Sequence, residues 1–190
     1  DAPPNAFQQA RLFNLRAYKH ILEQDLVAGY ETLLEARKLA KKGGNTMALA
    51  ESFRLEGLIL DLSGEHARAL EALNKSLSAF IEVNSDNALL VYSAMGNVYM
   101  SLQNYEMMLQ LGQNFLAAAQ RLNDKENKAI AYFFQGYAQT ELGDYQDAKI
   151  SLLLAEELFK EVHYPFIGIV HTKMAELHIA QGNLTEALTM

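Results

Sequence analysis

The side chains best suited to chemistry near neutral pH are five histidines. His171 and His178 lie seven residues apart and so share one face of a helix, with Glu176 close in sequence. Such a trio could hold a metal or relay a proton. A second candidate is the stretch "TELGDYQDA" at 140–148, where a glycine, two aspartates and a tyrosine crowd into nine residues. It reads either as a metal or phosphate site or as a bend in the chain. Met95, Met100, Met107 and Met108 form a third group, an adaptable binding surface or plain core filling. The stretch "KKGGN" at 41–45 lacks the remaining glycines and the Ser or Thr of a phosphate loop, and nucleophile-elbow and dinucleotide patterns are missing as well.

Composition narrows the classes. With no cysteine among 190 residues, thiolate metal sites, disulfides and cysteine nucleophiles are excluded. A net charge of −7 argues against nucleic acid as a partner. The apolar runs are short and interrupted, so no membrane insertion is expected. The opening "DAPPNAF" reads as a mature end left by a signal peptide or as the edge of a cut fragment; the first reading places the chain in the periplasm, the second leaves the cytoplasm open. "GNLTEALTM" stops inside an amphipathic pattern without a helix stop signal, so the natural chain is expected to continue.

What positions these residues is a repeat. "DLSGEHARA" at 61–69, "MSLQNYEMM" at 100–108 and "IAQGNLTEA" at 179–187 align with "TELGDYQDA" without a gap, and "ILEQDLVAG" at 21–29 is a weaker copy. The blocks end at Gly29, Ala69, Met108, Ala148 and Ala187, spaced by 40, 39, 40 and 39 residues. Twelve residues before each end stand Ala17, Gly57, Gly96, Gly136 and Ala175. Glycine in a helix interior costs about 1 kcal/mol relative to alanine, so Gly57, Gly96 and Gly136 are expected where two helix backbones nearly touch. Between the small residues runs a tight turn through Gln24, Gly64, Gln103, Gly143 or Gly182, followed by Asp25, Glu65, Asn104, Asp144 or Asn183 as the cap of a second helix.

Each unit is therefore an antiparallel helical hairpin. First helices are expected near 6–23, 46–63, 86–102, 126–142 and 166–181, and second helices near 26–42, 66–83, 105–122, 145–162 and from 184 onward. One hairpin cannot bury its own apolar faces, so neighbours must stack. The reading is all-α, a single repeat domain over 1–190 with hairpins at about 6–42, 46–83, 86–122, 126–162 and a truncated 166–190. In this register His20 and His178 take the place of Tyr99, His171 that of Phe53, Tyr92 and Tyr132, and His66 that of Tyr145. Those four are thus expected to pack, and His163, beside "YPF", to lie in a loop. No metal, cofactor or catalytic centre is expected.

"AYFFQGYAQTELGDYQDAKISLLLAEELF" at 131–159 and "YSAMGNVYMSLQNYEMM" at 92–108 resemble tetratricopeptide repeats (TPR). The repeat is longer than the family's usual one and mostly lacks its closing proline. It is similar to the longer variants of bacterial signalling proteins and kinesin light chains. The resemblance implies a right-handed α-solenoid whose first helices line a concave groove that holds a protein or peptide segment. Carried onto this chain, the groove residues are Arg11, Asn14 and Tyr18; Glu51, Arg54, Leu58 and Asp61; Ser93, Asn97 and Met100; Phe133, Tyr137 and Thr140; and Thr172 and Glu176. A side-chain amide such as that of Asn97 can pair with any peptide unit. Arg54 either clamps a carboxylate or pairs with Glu51 or Asp61 on its own helix face. A cluster of Lys and Arg that would clamp a chaperone tail is missing. The implied role is a non-catalytic recognition module in a larger bacterial signalling protein, ahead of an output domain such as a diguanylate cyclase, a kinase or a DNA-binding domain. The alternative is a self-association module acting through its last hairpin.

Overall fold

A computed structural model describes residues 5–165 and 167–188. Asp1, with the reading of a mature end there, Phe166 at the expected start of the ninth helix, and Met190 lie outside the described residues. The described residues form ten helices and no strand. They are α1 (Ala6–Leu22), α2 (Leu26–Lys42), α3 (Thr46–Leu62), α4 (His66–Glu82), α5 (Ala88–Ser101), α6 (Tyr105–Arg121), α7 (Lys125–Leu142), α8 (Tyr145–Glu161), α9 (Gly168–Ala180) and α10 (Leu184–Ala187). Each begins and ends within two residues of the position the repeat implies, wherever the repeat sets that end.

The connections share one backbone device. Gln24, Gly44, Gly64, Asn84, Gln103, Asn123, Gly143, His163 and Gly182 all have positive φ, and one of them sits in each link between successive helices. The N–H of the following residue then reaches back to the carbonyl five positions earlier: Asp25 to His20 at 2.9 Å, Glu65 to Leu60 at 2.8 Å, Asn104 to Tyr99 at 3.0 Å, Asp144 to Gln139 at 2.9 Å and Asn183 to His178 at 2.8 Å. The links Asn45 to Ala40, Ser85 to Phe80, Asp124 to Ala119 and Tyr164 to Phe159 repeat it. This is the Schellman closure of a helix C-terminus. In seven of these nine links it brings the chain round in so few residues that the residue donating the last bond already stands at the N-cap of the next helix; Ser85 and Tyr164 lie two or more residues before it.

That bond does more than the capping side chains expected above. Asp25 accepts from Ala28 N at 3.1 Å and Asn104 from Met107 N at 3.1 Å, but Glu65, Asp144 and Asn183 make no side-chain capping bond. Asp144 holds its turn through its backbone N–H, not its carboxylate. "TELGDYQDA" is a bend, and no three His, Cys, Asp or Glu side chains among the described residues are placed to hold a metal.

The chain divides into two compact units, 1–98 and 99–190, the boundary falling within α5. In the first unit α1 packs on α2, α3 on α4, and α2 and α1 both on α3. Ala17, Ile21, Leu33, Leu55 and Ile59 form one buried cluster and Ala10, Ala40 and Ala48 another. A Cβ on Gly57 would lie 2.6 Å from Leu73 Cγ and 3.3 Å from the Ala69 carbonyl, so the α3–α4 crossing needs hydrogen there. In the second unit α6 packs on α7, α7 on α8, and α8 and α7 on α9. Met108, Phe115, Leu152 and Phe159 are fully buried within it. A Cβ on Gly136 would meet Leu152 Cγ at 2.7 Å and Leu152 N at 3.1 Å.

Candidate functional site

In residues 1–98 the first helices present regular stripes. Phe7, Arg11, Asn14, Leu15 and Tyr18 recur on α1 at spacings of three and four, as do Met47, Glu51, Arg54, Leu58 and Asp61 on α3 and Leu90, Ser93 and Asn97 on α5. Side chains so spaced share a face. The three faces line two adjoining clefts. The larger, ≈ 670 Å³, is bounded by Phe7, Arg11, Leu15, Tyr18, Met47 and Leu90 together with Asn14, Glu51 and Arg54. The smaller, ≈ 230 Å³, shares Arg54 and Leu90 and adds Leu58, Asp61, Ser93 and Asn97. All the groove residues that the repeat register assigns to this unit thus line one continuous surface.

Its polar groups are mostly engaged. The Asn14 side chain is buried, donating from Nδ2 to the Ala48 carbonyl at 2.7 Å and accepting from Ser52 Oγ at 2.8 Å. Asn14 therefore ties α1 to α3 and is not a group open to a ligand. Arg54 donates from Nε and Nη2 to the two Glu51 oxygens at 2.9 and 2.7 Å. Burial works against its charge, but Glu51 outweighs that and raises its pKa. Arg54 is thus the intrahelical partner of Glu51, the second of its two expected roles. Asp61 lies 2.8 Å from His66 Nδ1, so His66 is a hydrogen-bond partner as well as a packing residue. The apolar lining, by contrast, is uncovered: Phe7, Leu15, Tyr18, Met47 and Leu90 are each 41–67% exposed.

Residues 99–190 place their candidates differently. Phe133 is buried, its ring 6.0 Å from that of Phe134 and 6.1 Å from that of Tyr137. Thr140 is buried, and its hydroxyl donates to the Gly136 carbonyl at 2.7 Å. Neither side chain faces open space, because α7 turns these positions into the packing against its neighbours. Met100 is half-buried. Thr172 is exposed, with its hydroxyl bonded back to the Gly168 carbonyl at 3.0 Å. His171 Nε2 pairs with Glu156 at 3.0 Å. Glu156 lies below its usual pKa because of hydrogen bonds from Lys160 and His171, against a smaller opposing effect of burial. His178 leaves Nδ1 buried without a hydrogen-bond partner.

Tyr137 and Glu176 do come together, around a residue the repeat register passes over. The Lys173 side chain is only 3% exposed, and its Nζ lies 2.7 Å from Glu141 and 2.6 Å from Glu176. The same nitrogen sits 3.4 Å from the Tyr137 ring centroid, a cation–π contact. Burial acts to depress its pKa, yet the hydrogen bonds it donates to Glu141 and Glu176 prevail and raise it. Lys173 is therefore held in its charged form near neutral pH.

Residues 129–161 match the tetratricopeptide repeat family. That stretch takes in most of α7 and all of α8, one hairpin of the repeat. Solved structures agree in fold across its length. RapI in its apo form superposes with a TM-score of 0.83 at 16% identity, covering 98% of this chain and 52% of that one. A Rap protein complexed with Competence and Sporulation Factor gives 0.77 at 13% identity, covering 98% and 53%. A signal-transduction ATPase with numerous domains and a tetratricopeptide-repeat sensor, from Pyrococcus horikoshii, gives 0.84 at 18% identity, covering 97% and 29%. The chain thus spans about half the length of the two Rap proteins. No curated protein matches it significantly in sequence. The fold is the all-α solenoid of TPR hairpins. Folds of this kind are generally scaffolds for protein interaction, and no helix among the described residues is long and apolar enough to cross a membrane.

Proposed function

We propose that the surface formed by α1, α3 and α5 in residues 1–98 is a recognition cleft for a peptide or protein segment. It serves as the sensory or scaffolding part of a larger signalling protein. The observation that carries this is the ring of uncovered apolar side chains, Phe7, Leu15, Tyr18, Met47 and Leu90, around a cleft of ≈ 670 Å³. Contiguous exposed apolar surface rimmed by polar residues marks interaction sites. Burying one such side chain is worth about 1.5–3 kcal/mol. Several anchors together outweigh the cost of association and give affinities near the micromolar range, about −8 kcal/mol. The paired Glu51 and Arg54 rim the cleft without adding net charge of their own.

Two likenesses support the reading. A Rap protein of this fold is solved in complex with Competence and Sporulation Factor, and in the Pyrococcus horikoshii ATPase the repeats are named as the sensor. A ligand held between successive first helices favours one packing of the hairpins over another, and differential affinity of this kind is what shifts an output equilibrium.

The test is selection from a random peptide library on the full chain, followed by titration of the recovered peptides. Leu90→Glu places a charge among the apolar anchors and should weaken binding at least about tenfold, or about 1.4 kcal/mol. Ile150→Glu, on an exposed position of α8, should leave it unchanged. Recovering no peptide, or equal affinities for both variants, overturns the proposal.

A further inference from the structure

We infer that the cleft of α1, α3 and α5 selects an apolar segment carrying an acidic side chain, and that Arg11 reads the carboxylate. The inference rests on the recognition cleft proposed above and names the chemistry of its occupant.

The polar lining of the larger cleft can be followed group by group. Asn14 spends both ends of its amide on Ala48 and Ser52. Asn45 does the same, donating to the Phe7 carbonyl at 3.0 Å and accepting from Ala48 N at 3.0 Å. Glu51 and Arg54 consume one another. Arg11 is exposed and makes no ion pair or hydrogen bond with any described residue. The reason lies in its helix: the positions three and four residues away are Phe7, Gln8, Asn14 and Leu15, and α1 contains no Asp or Glu at all. No carboxylate is supplied by its own helix. The larger cleft therefore carries a net charge of +1 from Arg11, within a chain whose 23 acidic residues outnumber its 16 Lys and Arg.

That contrast has a consequence for ligands. The chain as a whole repels an acidic peptide at long range, but screening confines the repulsion to about 8 Å at physiological ionic strength. At contact the guanidinium dominates. It offers a planar fork of donors that matches a carboxylate in two parallel hydrogen bonds. Phe7 and Leu15 lie one helical turn to either side of Arg11. An apolar segment docked on them covers the guanidinium from water and strengthens the pair. A basic or amide side chain in the same place leaves Arg11 covered and unpaired, so the site discriminates against it as well as favouring the acid.

The experiment takes a peptide recovered from the random library on the full chain and prepares three forms. One keeps its acidic residue, one replaces it with the matching amide, and one with lysine. On the unaltered protein the acidic form should bind about tenfold more tightly than the amide, a charge-assisted pair being worth about 1.4 kcal/mol. Arg11→Gln should erase that preference, with the amide form binding at least as tightly as it does to the unaltered protein, because no covered guanidinium is then left unpaired. Arg11→Glu should invert it, so that the lysine form binds best. Retained binding of the amide form by Arg11→Gln shows that the variant is folded and its apolar lining intact. Recovered peptides that bind in the cleft without an acidic residue, or a preference that persists in Arg11→Gln, overturn the role of Arg11 and leave the cleft standing. A library that returns no peptide overturns the cleft and this inference together.

Discussion

Lys173 Nζ lies 3.4 Å from the centroid of the Tyr137 ring, so that an almost fully buried ammonium on α9 is seated against an aromatic face on α7. Two carboxylates complete its surroundings. Glu176 comes from its own helix and Glu141 from α7, so the charge links successive first helices of the second unit. Tyr105, from α6, brings its ring to 6.2 Å from Tyr137. A helix face that elsewhere lines an open cleft is here filled by the protein's own cation.

Removing the cation and removing its partners should not cost the same. Glu141 and Glu176 are 33% and 53% exposed, so in Lys173→Met they regain water and the loss should stay near 1 kcal/mol. Glu141→Ala combined with Glu176→Ala strands the ammonium in its buried place. That loss should reach about 3 kcal/mol or more, the cost of an uncompensated buried charge. Urea unfolding of both variants reads the difference, and equal losses would refute the assignment of Lys173 as the buried member of the network.

Alkaline pH should weaken the same region. The pKa of Lys173 is raised above its ordinary 10.5 in the folded chain. Its stabilisation is therefore fully present below 10.5 and is lost as pH rises through the folded value. Tyr105 acts in the same direction. Burial raises its pKa above 10.0, aided by the charge of Glu141, so the folded state holds that proton too. The urea midpoint should be flat near neutrality and fall once pH passes 10.0, and Lys173→Met should fall less steeply. A variant that tracks the unaltered protein throughout removes Lys173 from the account.

The contrast between Lys173 and the turns explains what could be read in advance. A positive-φ residue with a carbonyl five positions back is a local device, and so is a pair of small residues twelve apart; the first recurs in every link between described helices, and the second marks the α3–α4 and α7–α8 contacts at Gly57 and Gly136. The Glu51–Arg54 pair is local as well and was one of two readings open for Arg54. Lys173 was illegible because one lysine on a polar face looks like any other until Glu141, 32 residues earlier, is brought beside it. Phe133 and Thr140 misled for the same reason. They occupy the register of groove residues, yet the rings of Phe134 and Tyr137 and the carbonyl of Gly136 draw them inward. Capping by Asp144 failed more subtly, since its backbone N–H already closes the turn.

Glycine substitutions in the second unit should separate packing from helix propensity. Alanine in place of glycine within a helix gains about 0.4–1 kcal/mol where there is room for it. Nothing lies within 4 Å of a Cβ built on Gly168 at the start of α9, so Gly168→Ala should stabilise the chain by that amount. A Cβ on Gly136 would instead press on Leu152 at both Cγ (2.7 Å) and backbone N (3.1 Å). The backbone contact cannot be relieved by a rotamer change, and overpacking of this kind costs about 1–3 kcal/mol. Gly136→Ala should therefore be net destabilising by about 1–2 kcal/mol, the strain exceeding the propensity gain. Opposite shifts of the urea midpoint in the two variants, at unchanged slope, establish that Gly136 is held for the α7–α8 contact. A stabilising Gly136→Ala would show that α8 can yield, and that the twelve-residue spacing of small residues is not a packing requirement.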